Sequence, residues 1–336
     1  MAVLIRHWFL FGLLALIPGG IVLAVSNPPE PLIRFLDSVP TPACTAAILF
    51  LMAVTLDTGR LVNSVRRPWP VLTAFGINQL VIPALCLPLL FLQKSQDLKV
   101  GLLIAASVPC TMAAASVWTR RALGNDAVSL LVTLLSNGLC FVVTPAWLTL
   151  GTRWFGTQEL SGDLNFATLM LKLTLAALLP ALAGQLLRLF RRPRGFIDRR
   201  KSLISVAAQS IILFLVFMSA FRGGLRFTDG GISGNLRHTE FAVAWISCIG
   251  LHLAAMAIAW GLTGWLKFEL GDRTACTIAG SQKTLPIGIL VSQATGLPFS
   301  LLPMLMYHAS QLFIDTWIAD RIRVQSEQMS SVSKQA

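Results

Sequence analysis

The sequence predicts an all-α polytopic membrane protein, and three observations carry that expectation. Hydrophobic residues make up 55% of the 336 residues and charged residues only 12%, with a mean hydropathy of +0.71. A water-soluble chain carries charge nearer ~25%. Apolar runs recur at about the length of a bilayer crossing, roughly 20 helical residues. Basic residues gather in alternate connecting segments, as they do when helices weave through a membrane.

Ten runs follow in order: 8–25, 43–56, 70–92, 99–118, 127–150, 166–187, 203–221, 241–265, 274–295 and 298–319. The first follows Arg6, but it is long for a signal-peptide core and no A-x-A site follows it, so it reads as a span rather than a leader. The second is short and is expected to extend toward Val65. The fourth and ninth contain Pro109 and Pro286, which break a helix interior. Polar residues 151–165 separate five runs from the next five, and the polar tail Val324–Ala336 is expected to be mobile.

Net charge is +12, and its distribution argues for a membrane rather than nucleic acid. If the N-terminus is cytoplasmic, that side collects eighteen basic residues, among them Arg60, Arg66, Arg67, Arg120, Arg121 and the run from Arg188 to Lys201. The other side has eight, from Arg34 to Arg237, and Lys283 lies within the membrane. The positive-inside rule then places both termini in the cytoplasm, which requires an even number of spans. All six cysteines fall in apolar runs without disulfide or metal spacing, and read as buried small hydrophobes. Trp69, Trp147, Trp154 and Trp265 fall near run ends and read as an interfacial belt.

Lys283 sits near the middle of TACTIAGSQKTLPIGILVSQAT, residues 274–295. An ammonium at that depth costs at least ~2.5–3.5 kcal/mol on insertion scales, so it marks an ion or substrate path, or a structural charge bonded to carbonyls at a helix break. Gly280, Ser281, Gln282, Thr284 and Pro286 weaken the helix around it. Carriers commonly build a binding site from such broken helices. His308 and Gln311 share a face of the tenth run, and either line the same cleft or bond between helices. His252 reads as a packing histidine, and Asp315 and Asp320 are expected near the cytoplasmic end, meeting headgroup water or Arg321.

Five spans per half invert the second half relative to the first, the architecture of many secondary transporters. Residues 1–150 form the first repeat, 151–165 the linker and 166–323 the second repeat. A local echo joins them: Cys110-Thr111-Met112-Ala113-Ala114-Ala115-Ser116 in the fourth span and Cys276-Thr277-Ile278-Ala279-Gly280-Ser281 in the ninth.

The stretches MAVTLDTGRLVNSVRRPWPVL from Met52, NQLVIP from Asn78, ALGNDAVSLLVTLLSNGLCFVVTP ending at Pro145, GSQKTLPIG from Gly280 and LLPMLMYHASQL from Leu301 resemble the bile acid/sodium symporter family. The resemblance is to its divergent bacterial and organellar branch, with a G-S-x-K-[ST]-L motif in the ninth span. It implies ten spans, a panel of spans 1, 2, 6 and 7, and a core of spans 3–5 and 8–10. Spans 4 and 9 unwind and cross behind the substrate cleft, and the cytoplasmic (inner) membrane is the implied location. In the sodium-coupled branch, oxygens from spans 3, 4, 5 and 9 hold sodium. The resemblance places Asn78, Thr133, Ser136, Asn137 and Gln282 at such positions, with Thr111, Ser116, Ser281 and Thr284 beside them. The acidic span-9 ligand of that branch falls at Ile278, and Lys283 brings a cation of its own.

These residues predict a secondary transporter of a small organic, anionic solute, with sodium coupling placed in doubt by Lys283. The alternatives are a proton-coupled or uncoupled carrier of the same fold and, from another class, an intramembrane enzyme using a Ser281/Lys283 pair. A channel would need a continuous polar stripe, whereas here polar residues cluster at mid-membrane. H-E-x-x-H, G-x-S-x-G and G-x-x-x-x-G-K-[ST] motifs do not occur, so catalysis and ATP drive lack their usual parts. The expected partners are the solute and the lipid bilayer, with no nucleic acid, no cofactor beyond Na+ or H+ as coupling ion, and a homodimer left open.

Overall fold

The computed structural model describes residues 8–56, 68–112, 114–154, 166–228, 238–297 and 299–333, and every regular element among them is helical. Helix α1 is Trp8–Val25, α2 Glu30–Ser38 and α3 Thr41–Thr55. Next come α4 (Pro68–Leu92), the broken pair α5 (Gln96–Ser107) and α6 (Ala114–Arg121), and α7 (Asp126–Trp154). The second half begins with α8 (Phe166–Leu189), α9 (Arg191–Arg199) and α10 (Lys201–Thr228). It continues with α11 (His238–Trp265), the broken pair α12 (Leu270–Ser281) and α13 (Leu285–Thr295), and α14 (Leu302–Ser333).

Five of these helices are individually long and apolar enough to cross a membrane: α4, α7, α8, α10 and α11. A sixth crossing arises if α2 and α3, bent by 55° to each other, act as one. Pro40 and Pro42 flank Thr41 at that bend and explain it, since neither can donate a backbone hydrogen bond. The second span therefore gains an N-terminal arm. Its expected extension toward Val65 lies outside the described residues.

Two further expectations change. Gly151–Trp154 of the expected linker complete α7, and the tail is helical to Ser333. A helix that starts as late as Leu302 and carries i,i+4 pairs such as Arg323 with Glu327 has reason to continue past the membrane. Asp320 meets Arg121 rather than Arg321, in a two-pronged contact of 2.6 and 2.7 Å that ties the end of α6 to α14.

Helices α4 and α8 each contain a π turn, Ile77–Val81 and Thr174–Leu178. Both lie two residues before a proline, Pro83 and Pro180. A proline lacks the amide that would serve the carbonyl four residues back and its ring crowds that carbonyl, so the preceding turn widens to i−5 bonding. Thus the Ile82 amide bonds Ile77 O and leaves Asn78 O free.

α1, α3, α8 and α10 pack on one another, while α4, α5, α6, α7, α11, α12 and α14 form a second group. The groups meet where α7 touches α8 and where α13 touches α3 and α10. Within the first group the α1–α10 approach is close. A Cβ on Gly20 would lie 2.9 Å from Phe217 O, whereas one on Gly19 would meet nothing within 4 Å. Small residues permit such backbone approach where lipid supplies no hydrophobic drive between helices. The adjacent glycines therefore separate packing from helix propensity. Gly20→Ala is expected to lower thermal stability by about 1–3 kcal/mol through overpacking. Gly19→Ala should leave it unchanged or raise it by up to ~1 kcal/mol. Thermal unfolding of the two variants in one detergent checks the pair.

Candidate functional site

Both broken spans unwind at a residue pattern that leaves the backbone little choice. Val108, which precedes Pro109, is extended, as residues before proline are, and ends α5. On the other side Gln282 and Thr284 are extended, and Pro286 enters α13 in its first turn, where a missing amide costs nothing. The two breaks touch directly: the Thr284 amide donates to Pro109 O at 2.9 Å.

Lys283 lies fully buried at this crossing. Its Nζ donates to Asn78 O at 2.6 Å, Val108 O at 2.9 Å and Asn78 Oδ1 at 3.3 Å. The first is the carbonyl freed by the π turn of α4, and the second is freed by the unwinding of α5. The backbone of Lys283 is held as well. Gln311 Oε1 accepts from its amide at 2.9 Å, and Gln311 Nε2 donates to its carbonyl at 3.0 Å and to His308 Nδ1 at 2.8 Å.

The remaining expected residues mostly converge here. Asn78 Nδ2 donates to Gln282 O at 2.8 Å and, at 3.3 Å, to Ala279 O and Gly280 O, closing the frayed end of α12. Thr111 accepts from the Ala115 amide, capping α6, and its hydroxyl donates to Gln282 Oε1. Asn137 Nδ2 donates to Cys110 O and Thr133 O, both at 2.8 Å. The Ser136 hydroxyl accepts from the Cys110 amide, and Thr133 donates to Thr111 O. Asn137 Oδ1 and Gln79 Oε1 are buried and meet no donor among the described residues. Ser281 turns into its own helix, donating to Thr277 O and Ile278 O, and forms no dyad with Lys283.

Three residues take places that the sequence reading did not give them. Asp315 is fully buried and, rather than meeting headgroup water or Arg321, finds its partners inside the protein. Its Oδ2 accepts from Gln282 Nε2, and its Oδ1 lies 2.9 Å from His252 Nε2. His252 thus belongs to this polar network, and its Nδ1 lies 3.2 Å from Ser281 O. Trp147 is half-buried rather than at a span end, donating at 2.8 Å to Gln79 O, the carbonyl that Pro83 leaves unserved. A signal for Asp315 was present: His308, Gln311 and Asp315 recur at i, i+3 and i+7, one face of a helix.

Ser116 stands apart from the crossing. It lines a cavity of about 360 Å³ between the two helix groups, with Arg120 and Leu130 on one side and Thr55, Lys201, Ser202, Ser205 and Gln209 on the other. Ser116 is 6% exposed. A smaller space of about 140 Å³ involves Ser219, Arg222, Ser292 and Gln293, roughly 20 Å further along α10. There Gln293 of α13 donates to Ser219 of α10 at 3.2 Å, joining the groups. Among the described residues, no group of three or more His, Cys, Asp or Glu is placed to hold a metal ion. The six cysteines are free thiols, five of them buried.

Apolar helices of membrane-crossing length, with two interrupted spans that cross on a buried charge, mark a multi-pass membrane protein. Residues 7–324 match the SBF-like CPA transporter family, and the chain belongs to it. It is 26% identical over 292 residues to the probable sodium/metabolite cotransporter BASS4, chloroplastic, of Arabidopsis thaliana. That match covers 82% of this chain but 64% of the plant protein, so the chain spans less than two thirds of it. Identity is 28% over 181 residues to the uncharacterized sodium-dependent transporter YocS of Bacillus subtilis, 53% of either chain. It is 23% over 239 residues to the putative symporter YfeH of Escherichia coli, covering 69% of this chain and 67% of that one.

The seat of Lys283 rests on Gln311, which serves both its backbone amide and its carbonyl. Gln311→Met removes both partners while keeping the side-chain length. An unpaired buried polar group costs about 1–3 kcal/mol, so thermal stability should fall by at least that amount. Gln311→Glu, which keeps the acceptor for the amide, should recover part of the loss. Melting curves of the three proteins side by side measure both effects.

Proposed function

We propose that the chain is a secondary carrier of a small organic anion, working by alternating access between the two helix groups, with Lys283 standing where its sodium-coupled relatives use a diffusible cation. The observation that carries this reading is the cavity between the groups. Its lining combines the cations Arg120 and Lys201 with the hydroxyls of Ser116, Ser202 and Ser205 and with apolar Leu56, Val117, Leu130 and Val206. That is the chemistry of an acidic head on an apolar body. The volume, about 360 Å³, is in the range of pockets that take small organic molecules, roughly 300–1,000 Å³. Ser116 is five residues on from Thr111, so a solute in the cavity lies close to the crossing.

The same reading takes α1, α3, α8 and α10 as a panel and the other group as a core, built from two inverted repeats of five spans. Arg120, Arg121, Arg188 and Lys201 then face the cytoplasm across the inner membrane, and the larger cavity opens to that side. The smaller space at the opposite end is bridged by the Gln293–Ser219 bond.

Sodium is a poor fit to this donor set. A hard cation needs several oxygens and usually a carboxylate. Asn78 Oδ1 already accepts from Gln79 Nε2 at 2.7 Å and from Lys283, and the hydroxyls of Thr133 and Ser136 are engaged with backbone groups. The orphan oxygens of Asn137 and Gln79 are neutral amides in the neighbourhood of an ammonium that repels a second cation.

Two measurements test the proposal. Thermal stability of the wild type should be the same in sodium and potassium, while Lys283→Ala should gain a sodium-dependent rise, because a ligand bound to the folded state alone stabilises it. Sodium stabilisation of the wild type would defeat the replacement by Lys283. Small mono- and dicarboxylates should raise the melting temperature of the wild type, and Arg120→Gln should lose that rise. Stabilisation by neutral analogues, with acids inert, would defeat the anion reading.

A further inference from the structure

Helix α9 joins α8 to α10, two helices of bilayer-crossing length, and its own nine residues are too few to cross. Such a connector sits at the bilayer surface. Its sequence, RRPRGFIDR, is two-faced: on a helix Arg192, Arg194, Asp198 and Arg199 fall on one side, and Pro193, Phe196 and Ile197 on the other. Ile197 is buried against the protein, whereas Phe196 is 56% exposed and Phe190, just before the helix, 64%. From Arg191 to Lys201 the chain carries six basic residues and one acid. That acid, Asp198, is engaged by Arg188 at 3.0 Å and Arg194 at 3.6 Å. Arg192, Arg199 and Arg200 are exposed, and the Arg200 guanidinium lies over the Phe196 ring at 4.9 Å.

Water accounts for the arginines but not for two exposed phenylalanines set among them. Basic side chains on one face of a short helix with aromatic rings on the other suit the boundary where phosphate headgroups meet acyl chains. Guanidinium groups pair with phosphate through two parallel donors, which gives that contact geometry as well as charge. The helix is also held in place from within. Buried Arg188 of α8 donates to Val54 O at 2.9 Å and to Asp198 at 3.0 Å, and Gln185 donates to Ala53 O, so α9 is fastened to α8 and to the end of α3. Both ends that it joins reach the larger cavity: Thr55 and Leu56 follow from α3, and Lys201 and Ser202 open α10.

We infer that α9 is a membrane-surface helix that recognises the headgroups of anionic phospholipids, with Arg192, Arg199 and Arg200 as the phosphate-binding cations and Phe190 and Phe196 as the apolar anchors. A lipid held there fixes α9 at the depth of the headgroups, and through Arg188 and Asp198 fixes the ends of α3, α8 and α10 with it. The rim of the larger cavity is then anchored to the bilayer on the side of Thr55, Lys201 and Ser202. This surface stands whether or not the cavity carries an organic anion.

The test heats the full chain in a neutral detergent with phosphatidylglycerol, with phosphatidylcholine of the same acyl chains, or with inorganic phosphate. Because a ligand of the folded state stabilises it, phosphatidylglycerol is expected to raise the melting temperature of the wild type. The rise should shrink as salt goes from about 0.1 M to about 0.5 M and the Debye length shortens. Replacing Arg192→Gln, Arg199→Gln and Arg200→Gln together should raise the lipid concentration for half the effect by between about tenfold and a hundredfold, each basic residue near an anionic surface being worth roughly a factor of five. The charge-matched set Lys267→Gln, Arg321→Gln and Arg323→Gln should leave it nearly unchanged. All six residues are exposed, and each variant is compared with its own melting temperature without lipid. Phe196→Ser should weaken the binding while keeping its salt dependence. Equal losses in the two triple variants would reduce the effect to net charge and overturn the inference. Stabilisation by phosphatidylcholine or inorganic phosphate equal to that by phosphatidylglycerol overturns it as well, as does a melting temperature that no lipid moves.

Discussion

Everything at the centre of this protein follows from the absence of water to satisfy a broken backbone. Interrupting a helix inside a membrane strands amides and carbonyls, each at a cost of several kcal/mol if left unpaired. Here two interruptions answer each other. The Thr284 amide of one break serves Pro109 of the other, and the side chain of Lys283 serves Val108. Asn78 and Gln311 serve the backbone from Ala279 to Lys283. Neither break is tolerable alone, so the crossing forms as a unit and the polar residues around it are committed first to backbone and only then to any solute.

The seat of the ammonium traces to a residue that never touches it. Pro83 widens the preceding turn, and the Ile82 amide moves from Asn78 O to Ile77 O. Asn78 thus offers both its carbonyl and its side-chain oxygen to Lys283. The carbonyl that the proline ring orphans outright, Gln79 O, goes to Trp147. Helix defects in α4 and α5 therefore make a cradle of oxygens resembling a cation site, and the chain fills it with its own charge.

Local chemistry makes the class, the two broken spans and Lys283 legible in the sequence. Prolines, glycines and a lone lysine in an apolar run declare themselves within a few residues. Trp147 and His252 did not, because their partners lie 68 and 63 residues away and nothing near either residue marks the pairing. Asp315 was misplaced likewise, because its partners Gln282 and His252 lie elsewhere in the chain, although the spacing from His308 and Gln311 pointed inward. The family resemblance groups Ser116 with the crossing, yet the helical turn that Thr111 caps carries it toward the cavity between the groups.

On the proposed reading, in which Lys283 takes the place of a diffusible cation, the exchange changes what the crossing can report. A bound ion orders a site only in proportion to its concentration. Lys283 orders the crossing at all times, with the entropic cost settled on folding. Such a site gains rigidity and loses the ability to sense the ion whose place is taken.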